Sequence, residues 1–152
     1  RFLRVQYRFH RSIDALYANP ALDALLPDLH ERRRLQQVRR DLQDLEQTLP
    51  GADIAALGDD LSLPAALGWL YVAEGSNLGG TVLYKMAAQL GLDADFGARH
   101  LAAHPDGAAR HWRAFTAALD SVELTDAEEQ QVIEAANAAF RSVHDHVELE
   151  FA

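Results

Sequence analysis

Apolar residues recur at helical spacing in Phe2, Val5, Phe9, Ile13 and Leu16, and again in Leu35, Val38, Leu42 and Leu45, so the first part of the chain carries two amphipathic helices. Pro20 and Pro27 bracket the connection between them, and Pro50-Gly51 closes the second. Residues 52–62 read as a loop with room for one helical turn. A long helix then runs from about Pro64, tolerated in a first turn, to Leu90, where Gly91 takes the position of a C-terminal cap. Beyond it the pattern predicts a short helical piece around Phe96 to Leu101, a turn at His104-Pro105-Asp106-Gly107 and a helix from Ala108 to about Leu119. Thr125 and Glu128 have the capping-box spacing and start a final helix that runs toward Glu148. Strand alternation, internal repeats and low-complexity linkers are all missing. The expected architecture is all-α, a single multi-helical domain over residues 1–152 with about six helices.

The long helix is the unusual element. Gly68, Gly75 and Gly79 fall within roughly 40° of one another at about 100° per residue, which makes one bare stripe. Each interior glycine costs a helix roughly 0.8 to 1 kcal/mol relative to alanine, and Gly80 adds another. One reading is close helix packing, of the kind Gly75-x-x-x-Gly79 supports. The other is a flat ligand lying against exposed backbone. Gly79-Gly80 is the expected bend. Tyr71 lies about 60° from the stripe, placed either to reach the polar edge of such a ligand or to sit half-buried at a helix interface.

Composition narrows the chemistry. The chain has no cysteine, which excludes disulfides, thiolate metal sites, thiol nucleophiles and a thiolate-ligated heme, and fits a reducing, cytoplasmic setting. The mostly apolar stretch from Leu61 to Ala73 is too short to span a bilayer and is broken by Pro64 and Gly68, so no membrane association is expected. A net charge of −9 argues against nucleic acid as a partner. Residues 1–40 nevertheless hold nine arginines against four acids. That is either a solvated basic helix face, or a landing surface for an acidic electron-transfer partner or cations near a ligand's carboxylates. The sequence opens at Arg1, already inside an amphipathic pattern, and is expected to continue upstream.

Three separated motifs carry a family resemblance. Gly68-Trp69-Leu70-Tyr71-Val72-Ala73-Glu74-Gly75-Ser76-Asn77-Leu78-Gly79-Gly80 resembles the distal-helix signature of bacterial heme oxygenases. Gly97-Ala98-Arg99-His100-Leu101, then His104-Pro105-Asp106-Gly107 and His111-Trp112-Arg113-Ala114-Phe115, is similar to their downstream signature, especially in the group found in Gram-negative pathogens. Phe2-Leu3 through Phe9-His10 extends the similarity over nearly the whole chain.

The resemblance implies a biliverdin-producing heme oxygenase, with heme sandwiched between a proximal and a distal helix. Heme would be both substrate and cofactor, opened with O2 and with electrons from an external reductase or ferredoxin-like protein, releasing biliverdin, carbon monoxide and iron for iron acquisition or heme turnover. It implies contacts to the macrocycle from Gly75, Ser76, Gly79 and Gly80, and a hydrogen bond from Tyr71 to a propionate. It implies a proton-delivering water network held by Gln6, His10, Arg34, Asn77 and Trp112. Gln6 and His10 are also polar intrusions four residues apart beside an apolar helix face. Without the resemblance, His10 reads as a satisfied core histidine, Gln6 and Arg34 as surface polars, and Trp112 as core. On a straight helical wheel Asn77 lies nearly opposite the glycines, so it joins such a network only behind the helix or through a kink. His100, His104, His111, His144 and His146 read as solvent-facing or capping groups, with His144 and His146 also as fortuitous metal ligands. The family's proximal histidine belongs upstream of Arg1, so none of these residues is assigned to iron. A non-enzymatic heme-binding or heme-transfer protein, and an interaction domain whose glycines only pack helices, stay open.

Overall fold

In the computed structural model, which describes residues 1–51, 53–58 and 60–152, the opening apolar stripe winds into α1 (Phe2–Ile13) and buries Val5, Phe9 and Ile13. A 3-10 turn over Asp14–Ala18 carries Leu16 and Tyr17 into the same core. Asn19 then caps a short helix, α2 (Pro20–Asp23), its side-chain oxygen accepting the Ala21 N–H at 2.9 Å. Pro20, at one edge of the expected connection, opens that short helix, where a missing N–H forfeits no bond. α3 (Leu35–Asp44), α4 (Leu63–Ala88), α5 (Ala108–Asp120) and α6 (Asp126–Phe151) complete the set. Among the described residues there is no strand, only isolated bridges from Asp93 to Phe96 and Gly97. Those bridges, and Gly97 at φ 81°, hold Phe96 out of the helical piece expected there, which shrinks to a 3-10 turn at Arg99–Leu101.

The caps fall where local chemistry puts them. Ser62 accepts the Ala65 N–H at 3.2 Å and Pro64 occupies the first turn of α4. Past the other end of that helix, Gly91 adopts φ 80°, the left-handed conformation that glycine enters without a Cβ penalty. Both halves of the Thr125/Glu128 capping box are formed at the start of α6.

α4 packs chiefly along α6, and α1 lies against α3 and α6. The main core gathers Phe9, Ile13, Tyr17, Leu67, Leu70 and Phe115, and a second cluster of Leu3, Tyr7, Leu35, Val38 and Leu42 joins α1 to α3. Much of the arginine-rich opening is internal. Arg4 and Arg8 donate to opposite oxygens of Glu150 at 2.7 and 2.6 Å, tying α1 to the end of α6. Arg33 makes a bidentate pair with Asp14 at 3.0 and 2.6 Å. No helix of the described residues is long and apolar enough to cross a membrane.

Candidate active site

Two of the spaces that adjoin α4 are lined by the residues the sequence singles out. One is an open cleft of about 600 Å³ whose walls include Phe9, Val72, Gly75, Trp112, Phe140 and Val143, with Tyr71 at its rim. The other is a cavity of about 70 Å³ that brings Gln6, His10, Arg34, Ser76, Asn77 and His100 together with Phe2, Gly80, Leu83 and Leu101. Gln6 and Ser76 line both and form the partition between them. Helical geometry explains the arrangement: Tyr71, Val72 and Gly75 share one side of α4, while Asn77, Gly80 and Leu83 lie around from it and face the cavity. Asn77 therefore joins the polar group behind the helix, and α4 stays continuous through Gly79 and Gly80.

The glycines divide by role. A Cβ at Gly68 would lie 2.3 Å from the Val132 carbonyl oxygen, so this glycine lets α4 and α6 touch backbone to backbone. At Gly75 a Cβ would meet the Trp112 ring at 3.3 Å, at the cleft wall. Gly79 has nothing within 4 Å, and Gly80 is buried at the cavity beside Leu101. The Trp112 ring stands 5.3 Å from that of Tyr71 and lines the cleft, not the cavity. Of the ten residues implicated by the resemblance, five (Gln6, His10, Arg34, Ser76 and Asn77) meet with Gly80 around the cavity, and Tyr71, Gly75 and Trp112 meet across the cleft.

His10 is buried, and that burial, with His100 and Arg34 nearby, lowers its pKa to about 3, so it is a neutral imidazole with one donor and one acceptor nitrogen. Arg34 donates to the carbonyls of His100 and Ala102 at 2.7 and 3.3 Å, placing a cation at the cavity wall. The Ser76 hydroxyl donates back to the Ala73 carbonyl at 2.6 Å, which leaves its oxygen free to accept at the partition.

Behind α4 lies a buried charge cluster that sequence reasoning missed. Glu74 accepts from Arg32 at 2.8 Å and from the Tyr17 hydroxyl at 3.0 Å. The same guanidinium donates to the carbonyls of Pro27 and His111 at 3.0 and 3.2 Å. Arg32 thus ties the residue before Gly75 to the residue before Trp112, fixing the two sides of the cleft together. A sequence signal existed: Glu74 is the lone charge between Asp60 and Lys85.

Three histidines read as solvent-facing are not, among them His146, half-buried on α6 with Nε2 3.3 Å from the Ser142 hydroxyl. His100 is buried, with Nδ1 2.7 Å from Asp41. His111 is half-buried, stacked on His104 at 4.3 Å, and burial, then Arg32, brings its pKa to about 4. His104 does cap, accepting the Asp106 N–H at 3.1 Å. His144 is exposed on α6 beside Asp145 and Glu148.

Known proteins with this sequence and shape point one way. The PigA heme oxygenase of Pseudomonas aeruginosa is 45% identical over 152 residues, spanning all of this chain and 77% of its own. A crystal structure of the NO- and CO-bound heme oxygenase from Neisseria meningitidis matches with a TM-score of 0.89 at 38% identity, covering 96% of this chain and 72% of its own. The family model for heme oxygenase matches residues 7–148, and the chain belongs to the heme oxygenase family.

Proposed function

We propose that the cleft binds heme and that the protein opens it to biliverdin, carbon monoxide and iron, using O2 and electrons from an external reductase or ferredoxin-like protein. The residues present fit the group. A cleft of about 600 Å³ lies in the size range of ligand pockets, its walls are apolar rings, and α4 offers it bare backbone at Gly75 with Gly79 one turn on. When bound, heme supplies both the iron that activates oxygen and the ring that is cleaved.

The chain's own residues then divide the work. Phe9, Trp112 and Phe140 hold the apolar edges, and Gly75, Ser76, Gly79 and Gly80 keep the distal side thin. Tyr71, 41% exposed at the rim, meets a propionate. Gln6 and Ser76 stand at the partition, so water ordered by His10, Arg34 and Asn77 reaches the cleft through them. His10, held neutral, passes a proton by accepting at one nitrogen and donating at the other. The observation that carries this reading is the shared wall: a bare-backbone apolar cleft beside a polar cavity, with Gln6 and Ser76 common to both.

We infer that none of the histidines of the described residues would ligate heme iron. The one histidine of the described residues at the cleft is His144, whose side chain is 70% exposed, while His10 and His100 line the cavity. A cytoplasmic setting and a role in iron acquisition or heme turnover accompany this assignment, as does membership of the group found in Gram-negative pathogens.

The experiment is direct: add hemin, then a reductant and oxygen, and follow the heme absorption band. Its replacement by a bilin spectrum is the expected result, and a stable heme complex without bilin would point to heme storage or transfer instead. Electron spin resonance of the hemin complex tests the iron assignment, since an axial imidazole would set the iron's electronics. An imidazole-ligated spectrum that is lost in His144→Ala or His10→Ala would put that residue on iron.

A further inference from the structure

Asp41 lies on the buried face of α3 and is fully enclosed, yet it is surrounded by donors. Its Oδ1 accepts the Arg99 N–H at 2.9 Å, and its Oδ2 accepts the His100 N–H at 3.0 Å and faces His100 Nδ1 at 2.7 Å. Burial pushes its carboxyl up, but the bonds from the His100 ring, the His100 N–H and the Arg99 N–H together hold it below the usual carboxylate range. An ionised carboxylate only accepts, so His100 Nδ1 carries a ring proton, and in the neutral imidazole Nε2 is left as the acceptor. That Nε2 is buried without a hydrogen-bond partner, on a ring 3% exposed that lines the polar cavity with Gln6, His10, Arg34, Ser76 and Asn77.

An unpaired buried acceptor costs about 1–3 kcal/mol, and a polar space of about 70 Å³ has room for several waters. We propose that His100 is a positioning residue of the proton relay: Asp41 fixes its tautomer, and Nε2 accepts a hydrogen bond from cavity water, setting the direction of the water chain beside His10 and Gln6. Water held this way points one hydrogen at His100 and keeps its other hydrogen and its lone pairs for the groups toward the partition. Arg34, bonded to the His100 carbonyl, sits on the same wall, so cation and acceptor are fixed relative to each other. Stapling α3 to the Arg99–Leu101 turn does not require the imidazole, because the backbone N–H groups of Arg99 and His100 already bind Asp41.

This inference rests on the heme-degrading reading of the adjoining cleft, and its test has one arm that does not. Heteronuclear NMR of the ring nitrogens in the heme-free protein should show His100 protonated on Nδ1 and bare on Nε2, with Asp41→Asn shifting the proton toward Nε2. In the heme-loaded enzyme, His100→Leu should leave heme affinity unchanged, slow single-turnover ring opening about tenfold or more, and change its solvent isotope effect. His100→Gln, which returns a polar group to the cavity, should recover part of the rate. A wild-type ring protonated on Nε2, or His100→Leu with the wild-type rate and isotope effect, would overturn the assignment. If His100→Leu does not fold, the wild-type spectrum and His100→Gln decide. A wild-type protein that binds hemin and yields no bilin would overturn the heme-degrading reading, whereas normal bilin yield with indifferent variants would overturn only the role of His100.

Discussion

Substituting Gly68, Gly75 and Gly79 one at a time separates roles that helical spacing assigns to a single stripe. Alanine at any interior helical glycine gains roughly 0.8 to 1 kcal/mol of helix propensity. At Gly68 the new Cβ would lie 2.3 Å from the Val132 oxygen, 2.7 Å from the Ala135 Cβ and 2.9 Å from the Ala136 nitrogen, so α4 and α6 must move apart. Two of those atoms are backbone and cannot rotate away. Overpacking of this kind costs about 1–3 kcal/mol or more, which outweighs the propensity gain and leaves Gly68→Ala less stable by about 1–2 kcal/mol. For a chain of this size that lowers Tm by roughly 2–8 °C. At Gly79, with nothing within 4 Å, alanine should raise Tm by about 2–4 °C. Gly75 lies between them: the Trp112 ring, 3.3 Å from the new Cβ, must give by a few tenths of an ångström, so the expected effect of alanine on stability is near zero.

Heme reverses the order. Leucine at Gly75 or Gly79 projects into the space assigned to the macrocycle, so both variants should fold and lose affinity by about tenfold or more, equivalent to about 1.4 kcal/mol. Thermal melts followed by circular dichroism, with and without hemin, and a hemin titration give both numbers. Gly68→Ala melting above the wild type would refute the packing argument. Gly75→Leu or Gly79→Leu binding and degrading heme normally would reduce the whole stripe to packing.

Replacing Gln6 and His10 together by leucine should allow heme binding but slow or misdirect ring opening, because the water at the partition loses its partners; single-turnover rates equal to the wild type would return both residues to structure. Glu74→Gln should destabilise by about 3–5 kcal/mol, since the Arg32 guanidinium stays charged in the core, whereas Arg32→Met should cost less, because burial already raises the Glu74 pKa and the carboxyl can take up a proton. Urea melts of the two variants decide the order, and a larger loss in Arg32→Met would refute it. His10, with a pKa of about 3 when folded against about 6.5 unfolded, binds its proton more readily in the unfolded chain, so its contribution is intact above about pH 6.5 and is lost as pH falls toward 3. Stability should drop by up to roughly 1.4 kcal/mol per pH unit on this account, and His10→Gln should flatten that slope; parallel slopes would contradict the burial of a neutral imidazole.

Helix ends were legible wherever one local rule acts alone. The Thr125/Glu128 box, Pro64 in a first turn and the left-handed Gly91 are each decided within a few residues, and each is formed. Pro20 marked the connection but not the short helix inside it, because a proline before a turn and a proline opening a helix look alike until the capping residue is weighed, and Asn19 supplies that cap. The piece around Phe96 failed for another reason: a positive-φ glycine and two bridges override a weak apolar pattern.

The site was legible to a different depth. Periodicity reports the angle of a residue about its own helix axis, so Gln6 and His10 stood out as polar intrusions on an apolar face, and both reach the cavity. Asp41 and Glu74 break their helices' apolar faces in the same way, and a buried charge always demands a partner. Spacing within one helix cannot name that partner, because Glu74 pairs with Arg32 across 42 residues and Asp41 with His100 across 59. The same limit explains why a single stripe was read where the roles differ. Gly68, Gly75 and Gly79 share an angle about α4, but the first meets the backbone of α6, the second Trp112 from α5 and the third nothing within 4 Å, and only those neighbours decide which glycine packs helices and which faces a cleft. His10 and His100 make the point chemically. Both are buried imidazoles on one cavity, yet His10 has no carboxylate and is held neutral chiefly by burial, while His100 has Asp41 behind it and a fixed direction. A proton relay needs that inequality, since two equivalent imidazoles would give the water between them no preferred orientation.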